Sequence, residues 1–193
     1  MRNLCKFGGV FRDALKDLNK YKYQNSVLIS GALNNTNSEQ GVFLEKLAAR
    51  LVEENYSIVS GYGLGGGSQI ITGALNTIYA QKKISSDYLK LHPFPQNIAD
   101  ASERQRVWTR YRSDMCEEAG FQIIVFGSKK DPNDCTKTIN SAGVKEEFEL
   151  AHEKGLFVIP VSATGFMAQE VWRTINADLP KYGKVKHTSY CKS

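Results

Sequence analysis

From residue 26 onward, short β-branched and apolar runs alternate with longer stretches in which apolar residues recur every three to four positions. Residues 26–32 (SVLISGA) read as a strand, and 40–56 as a helix with Phe43, Leu44, Leu47 and Leu51 on one face. A second strand over 57–60 runs into the glycine segment 61–67, and a helix over 69–81 follows. Residues 89–91 form a short third strand closed by His92-Pro93, followed by a helix over 103–118 and a strand over 122–127. A helix over 144–154, a fifth strand over 156–161 and a closing helix over 166–177 complete the pattern. Strands alternating with helices of this length imply right-handed crossovers. The expected class is α/β: a Rossmann-like doubly wound parallel sheet of about five strands with helices on both faces. Residues 26–180 are read as one such domain. Residues 1–25 form an N-terminal helical or linker segment (Val10, Phe11, Leu15, Leu18), and 181–193 a basic tail that frays.

Composition narrows this picture. A chain of 193 residues with 41% hydrophobic and 23% charged residues supports one domain with one good core and excludes disorder. The formal charge of +5 suggests a nucleic-acid binder until its distribution is inspected. Residues 1–22 carry +4 and residues 181–193 another +4, which leaves −3 for the body over 23–180. Without a clustered basic face, nucleic acid is not the expected partner. No apolar run approaches the roughly 20 residues that span a bilayer, and a signal-peptide core is missing. The expectation is a cytoplasmic protein with no membrane partner. Cys5, Cys116, Cys135 and Cys191 are scattered without a CxxC pair, so neither a disulfide framework nor a metal site is expected.

In an open parallel sheet, ligands bind beyond the carboxyl ends of the strands. Small residues gather at those ends: Ser30-Gly31-Ala32, the segment Ser60 to Ser68, Phe126-Gly127-Ser128-Lys129 and Ser162 to Gly165, with Pro93-Phe94-Pro95 after the third strand. Gly61, Gly63 and Gly66 satisfy GxGxxG, and with Gly65 and Ser68 they offer backbone N–H groups at a helix N-terminus, a phosphate cradle. As a dinucleotide fingerprint the run fails on context, because it follows the second strand and no acid near the end of the next strand holds a ribose. The helix over 103–118 interleaves Arg104, Arg106, Arg110 and Arg112 with Trp108 and Tyr111, a pattern of single-strand stacking or of a salt-bridged helix. Arg112 adjoins the stripe Trp108, Tyr111, Met115 and can be held rigidly enough to clamp a phosphate. Glu146 and Glu147 start the following helix, where acids either support the helix terminus or hold ribose hydroxyls; position alone does not choose. His92, His152 and His187 form no triad, and no catalytic residue or cofactor is assigned.

Taken together, SGA, SGYGLGGGSQIITGAL, HPFPQ, WTRYRSDM, FGSK, GVKEEFELA and IPVSATGFMAQEVW, in this order over about residues 26–180, resemble the SLOG (Smf/DprA-LOG) superfamily. The resemblance is closest to the C-terminal SLOG sensor domains of the NAD-consuming effectors of bacterial Thoeris antiphage defence. It implies a non-catalytic sensor that binds a cyclic ADP-ribose isomer made by a TIR-domain protein and thereby activates an associated sirtuin-like NADase domain. It further implies that Arg112 and Lys129 contact phosphates and that Glu146 or Glu147 holds a ribose. Ser30, Gly31, Ala32, Gly61, Gly63, Gly65, Gly66, Ser68, Pro93, Phe94 and Gly127 would line the ligand path. SLOG relatives commonly form homodimers or higher homo-oligomers, through Trp172 and the last helix or through Ile70 to Ile78 in this chain. LOG-type phosphoribohydrolases of the superfamily carry PGGxGTxxE, where this chain has Asn140-Ser141-Ala142-Gly143-Val144-Lys145-Glu146. The missing PGG turn argues against hydrolysis, and the acidic body against DNA binding of the DprA kind; a LOG-type nucleoside-monophosphate phosphoribohydrolase is the alternative reading and a nucleic-acid-binding module the third. No sirtuin-like domain fits in 193 residues, so the chain reads as an isolated sensor domain or a stand-alone homologue.

Overall fold

The computed structural model describes residues 18, 23–33, 37–63 and 65–182. Along the chain run β1 (Ser26–Ala32), α1 (Ser38–Glu53), β2 (Ser57–Ser60), α2 (Gly67–Ala80), α3 (Ser85–Tyr88), β3 (Leu89–Leu91) and α4 (Ala101–Glu117). They are followed by β4 (Phe121–Phe126), β5 (Ser128–Lys130), β6 (Thr138–Asn140), α5 (Ala142–Glu153), β7 (Phe157–Pro160), α6 (Phe166–Ala177) and α7 (Leu179–Tyr182). Five strands form a parallel sheet in the order β3-β2-β1-β4-β7. The chain winds outward from β1 to β3 and then returns to place β4 beside β1. That reversal opens a crevice at the carboxyl ends of β1 and β4.

The first five residues of β1 are all buried, because successive side chains of a central strand enter opposite helical layers. Val27 and Ile29 pack with Ile58, Ile123 and Val125 against Leu44, Ala48 and Val52 of α1 and Ile70, Ala74 and Ile78 of α2. On the other face, Leu28 and Val59 meet Met115 and Cys116 of α4 and Ala151 of α5. Ile124 meets Val144 and Phe148 of α5 and Met167, Ala168 and Val171 of α6. The expected doubly wound sheet is therefore present. Ile70 and Ile78 are 5% and 0% exposed, so the Ile70 to Ile78 stripe is core and offers no self-association face.

Other departures are local. α1 begins at Ser38 because Asn37 and Gln40 form a reciprocal capping box. The antiparallel pair β5–β6 went unseen in the sequence, since its three-residue strands, SKK and TIN, carry no apolar alternation. The segment containing Val10, Phe11 and Leu15, and the tail from 183 onward, lie outside the described residues.

α1 and α2 cross closely at Gly73, where an added Cβ would lie 2.1 Å from the Glu45 carbonyl oxygen. Gly73→Ala should separate the helices at a cost of about 1–3 kcal/mol, outweighing the gain of up to about 1 kcal/mol from placing alanine in a helix. The urea midpoint is expected to fall; an unchanged or higher midpoint would refute a tight crossing.

Candidate ligand-binding site

A cleft of about 510 Å³ lies at the predicted crevice. Gly31 and Ala32 at the end of β1 line it, with Gly61, Gly63, Gly65 and Ser68 from the segment after β2. Two of these glycines are dictated by space. A Cβ on Gly63 would lie 2.7 Å from the Gly31 carbonyl oxygen, and Gly65 combines φ of +79° with a would-be Cβ 2.2 Å from the Leu33 oxygen. The backbone is thereby laid bare to a ligand. α2 and α5 both begin at the cleft, α2 through Gly67 and Ser68, α5 through Ser141 and Gly143. Neither has a side-chain cap, whereas Asn37 caps α1 and Asp100 caps α4. Two helix N-termini without side-chain caps favour negative charge between them.

Arg112 of α4 forms the opposite wall and is only 8% exposed. Its Nη1 donates to Glu146 Oε2 at 2.9 Å, and its Nε lies 3.7 Å from Glu147 Oε1 without a hydrogen-bond partner among the described residues. The guanidinium carbon lies 5.1 Å from the Phe94 ring centroid and 6.0 Å from that of Trp108. Gly143 leaves room for Nη2, which would sit 2.7 Å from a Cβ placed there. Glu146 is occupied elsewhere: Thr109 donates to Oε1, and Gln105 donates to Oε2 at 3.2 Å. Gln105, Thr109 and Arg112 follow a spacing of four and three, so one face of α4 grips a single carboxylate of α5.

Glu147 faces the cleft instead. Burial pushes its carboxyl above the ordinary value of 4.5; the Ser30 hydroxyl and Arg112 oppose that rise, and the neighbouring Glu146 adds to it. Beneath, Gln122 is fully buried and its Nε2 donates to Ser30 Oγ at 2.8 Å. The Ser30 hydroxyl hydrogen is then left to serve the Glu147 carboxylate. This buried string fixes Glu147 from below.

The structure thus gathers Gly31, Ala32, Gly61, Gly63, Gly65, Ser68, Pro93, Phe94, Arg112 and Glu147 of the expected site around one cleft. The remaining expected residues are placed differently. Ser30 is 1% exposed and acts beneath the cleft through Glu147. Gly66 packs towards Leu44, and Gly127 at φ +87° packs against Met167. Lys129 sits exposed on β5 opposite Ile139 and is not a lining residue. Glu146 braces Arg112. Sequence reasoning missed Tyr62, Gln96, Ser141, Gly143 and Val144 as lining residues. The position of Gly143 at the start of a helix on the carboxyl edge was the one available signal. The arginine-rich surface of α4 presents no stacking platform: Trp108 is half-buried and donates to the Pro95 oxygen at 2.9 Å. Arg106 lies 3.9 Å from Glu103, and Arg110 4.0 Å from Asp114.

A family model described as the Sir2- and TIR-associating SLOG family (STALD) matches residues 12–192. The protein named NAD(+) hydrolase ThsA from Acinetobacter baumannii (strain 532279) is 38% identical over 176 residues, covering 87% of this chain and 36% of that protein. Its namesake from Cytobacillus dafuensis is 35% identical over 167 residues, covering 82% and 33%. The one from Bacillus cereus (strain MSX-D12) is 36% identical over 141 residues, covering 72% and 28%. The chain spans about a third of the length of these curated relatives.

Proposed function

The chain belongs to the Sir2- and TIR-associating SLOG family, and from that premise we propose that it is the ligand-sensing domain of an antiphage NAD+ hydrolase of the Thoeris type. Its ligand is a cyclic ADP-ribose isomer supplied by a TIR-domain protein, and occupancy activates a sirtuin-like NADase domain. The observation that carries this reading is the pairing of Arg112 with Glu147 on the wall of a glycine-lined cleft. A guanidinium suits phosphate oxygens, a carboxylate suits ribose hydroxyls, and the N-termini of α2 and α5 suit the remaining negative charge. A volume of about 510 Å³ is in the range of small-molecule sites. Self-association is part of the reading, with Trp172, 46% exposed on α6, as its candidate contact. So is a cytoplasmic location; among the described residues no helix is long and apolar enough to cross a membrane.

Calorimetric titration with cyclic ADP-ribose isomers tests the proposal. Saturable binding of one isomer with one ligand per chain is expected, and no heat from any isomer would refute it. A parallel arm incubates the protein with AMP and follows base release by chromatography. No release is expected, because the stretch matching the hydrolases' PGG turn reads Asn140-Ser141-Ala142 here. Asn140 ends β6 with its amide bonded to Glu170 Oε2 at 2.5 Å, and Ser141 opens α5.

A further inference from the structure

Tyr62 holds a backbone conformation that ordinary side chains avoid. Its φ is +54°, in the left-handed region, where a bulky residue is an outlier that its surroundings must enforce. Those surroundings are visible. A Cβ on Gly67 would come within 3.0 Å of the carbonyl carbon, Cα and Cδ2 of Tyr62, so a bare backbone at the start of α2 makes room for this residue. The Tyr62 N–H donates to Ser60 Oγ at 3.3 Å. Nothing in the core is gained by this arrangement, because Tyr62 is 52% exposed and lines the cleft.

The other aromatic rings at the cleft are engaged. Phe94 has the Arg112 guanidinium 5.1 Å from its centroid, Trp108 edge-on at 5.8 Å and Tyr111 at 6.0 Å. Trp108 is tied through Nε1 to the Pro95 oxygen, and the Arg104 guanidinium lies 5.9 Å from its ring centroid. Among the described residues, Tyr62 is the cleft-lining ring with no ring or cation partner. It stands on the same glycine segment whose end starts α2, so it neighbours one of the two helix N-termini that open on the cleft.

Resting on the sensor reading above, we propose that Tyr62 is the base-stacking residue of this site, taking the planar base of a bound nucleotide against its ring. The local backbone constraint fixes where the side chain leaves the chain before the ligand arrives, which lowers part of the ordering cost of binding. Stacking of this kind tolerates different bases, since each has a π-face. Specificity for the sugar and phosphates then rests with Glu147, Arg112 and the helix N-termini.

The experiment compares three probes by calorimetry: a cyclic ADP-ribose isomer, AMP and ribose 5-phosphate, the last carrying sugar and phosphate without a base. Tyr62→Ala should weaken the two base-bearing probes by about tenfold and leave ribose 5-phosphate within about twofold. Tyr62→Phe should retain affinity for all three. Tyr62→Gly relieves the backbone while removing the ring, and should lose base-bearing affinity as alanine does. Unchanged affinity in Tyr62→Ala, or equal loss for all three probes, overturns the stacking role. Recovery in Tyr62→Gly overturns it as well, since the backbone alone would then matter. Wild-type protein that binds AMP no better than ribose 5-phosphate refutes base stacking while leaving the sugar-phosphate site standing. Wild-type protein that binds none of the three overturns the stacking role and the sensor reading together.

Discussion

Arg112→Ala is expected to lower affinity for a phosphate-bearing nucleotide by about 100-fold or more, and to destabilise the fold by about 3–5 kcal/mol. The affinity figure follows from losing charge-assisted hydrogen bonds worth about 1.5–3 kcal/mol each, at about 1.4 kcal/mol per tenfold. A further loss comes from the carboxylates that remain. Glu146 and Glu147 lie beside the guanidinium with side chains only 23% and 13% exposed, and without it the ligand meets uncompensated negative charge. The stability figure is the usual cost of removing one partner from a buried ion pair. Urea unfolding and calorimetry read the two effects separately. Arg112→Lys keeps the charge but cannot reproduce a planar fork held over Phe94, so it should fall between wild type and alanine. Gly143→Ala offers an independent check, because its Cβ would press Arg112 Nη2 out of place while keeping the guanidinium. Affinity that survives both changes would remove Arg112 from the site.

Glu147→Gln should cost about tenfold to 100-fold in affinity, because an amide offers ribose hydroxyls one acceptor oxygen in place of two. It should also change how stability depends on pH. Burial raises the Glu147 carboxyl above 4.5 in the folded protein, so between 4.5 and the raised value the folded state binds more protons than the unfolded state. Its contribution to stability is therefore complete below pH 4.5 and is lost as pH rises through the folded-state value. The slope cannot exceed about 1.4 kcal/mol per pH unit for one proton. The groups facing Glu147 are Arg112 and the Cys116 thiol of α4, Ser30 of β1 and Glu146 on its own helix. Glutamine cannot titrate, so the difference between the wild-type and variant stability curves isolates this one group. Parallel curves above pH 4.5 would show that Glu147 is an ordinary solvated carboxylate.

The same cluster should couple ligand binding to proton binding in the proposed sensor. With both glutamates ionised, Arg112 leaves the wall of an anion site with one net negative charge. A proton on Glu147 makes the cluster neutral. A proton on Glu147 lifts a repulsion of the phosphates but removes an acceptor that ribose hydroxyls use, so affinity should change with pH through the raised Glu147 value in wild type and stay flat in Glu147→Gln.

The fold class was readable from the chain because hydrophobic period is a local property that survives without knowledge of the partner. Strand runs such as 26–32 and stripes such as Leu44, Ala48, Val52 report their own burial. The glycine segment was readable for a related reason: glycines at 61, 63 and 65–67 mark a backbone that must come close to something. Adjacent residues are less informative. Glu146 and Glu147 are neighbours in sequence, but consecutive helical positions point about 100° apart. Only the docking of α5 beside α4 decides that the first braces Arg112 and the second faces the cleft. Lys129 lies outside the cleft lining for a similar reason, because its place depends on a hairpin that short polar strands do not announce. Ser30 and Gln122 are separated by 92 positions and become one hydrogen-bonded string only when β1 and β4 pair in register. By itself, then, the sequence determined the α/β class, the family and the edge of the sheet at which the cleft opens. The tertiary structure alone decided which charged groups share that edge and which aromatic ring stands open to it, because side-chain direction is set by packing between elements and not by order along the chain.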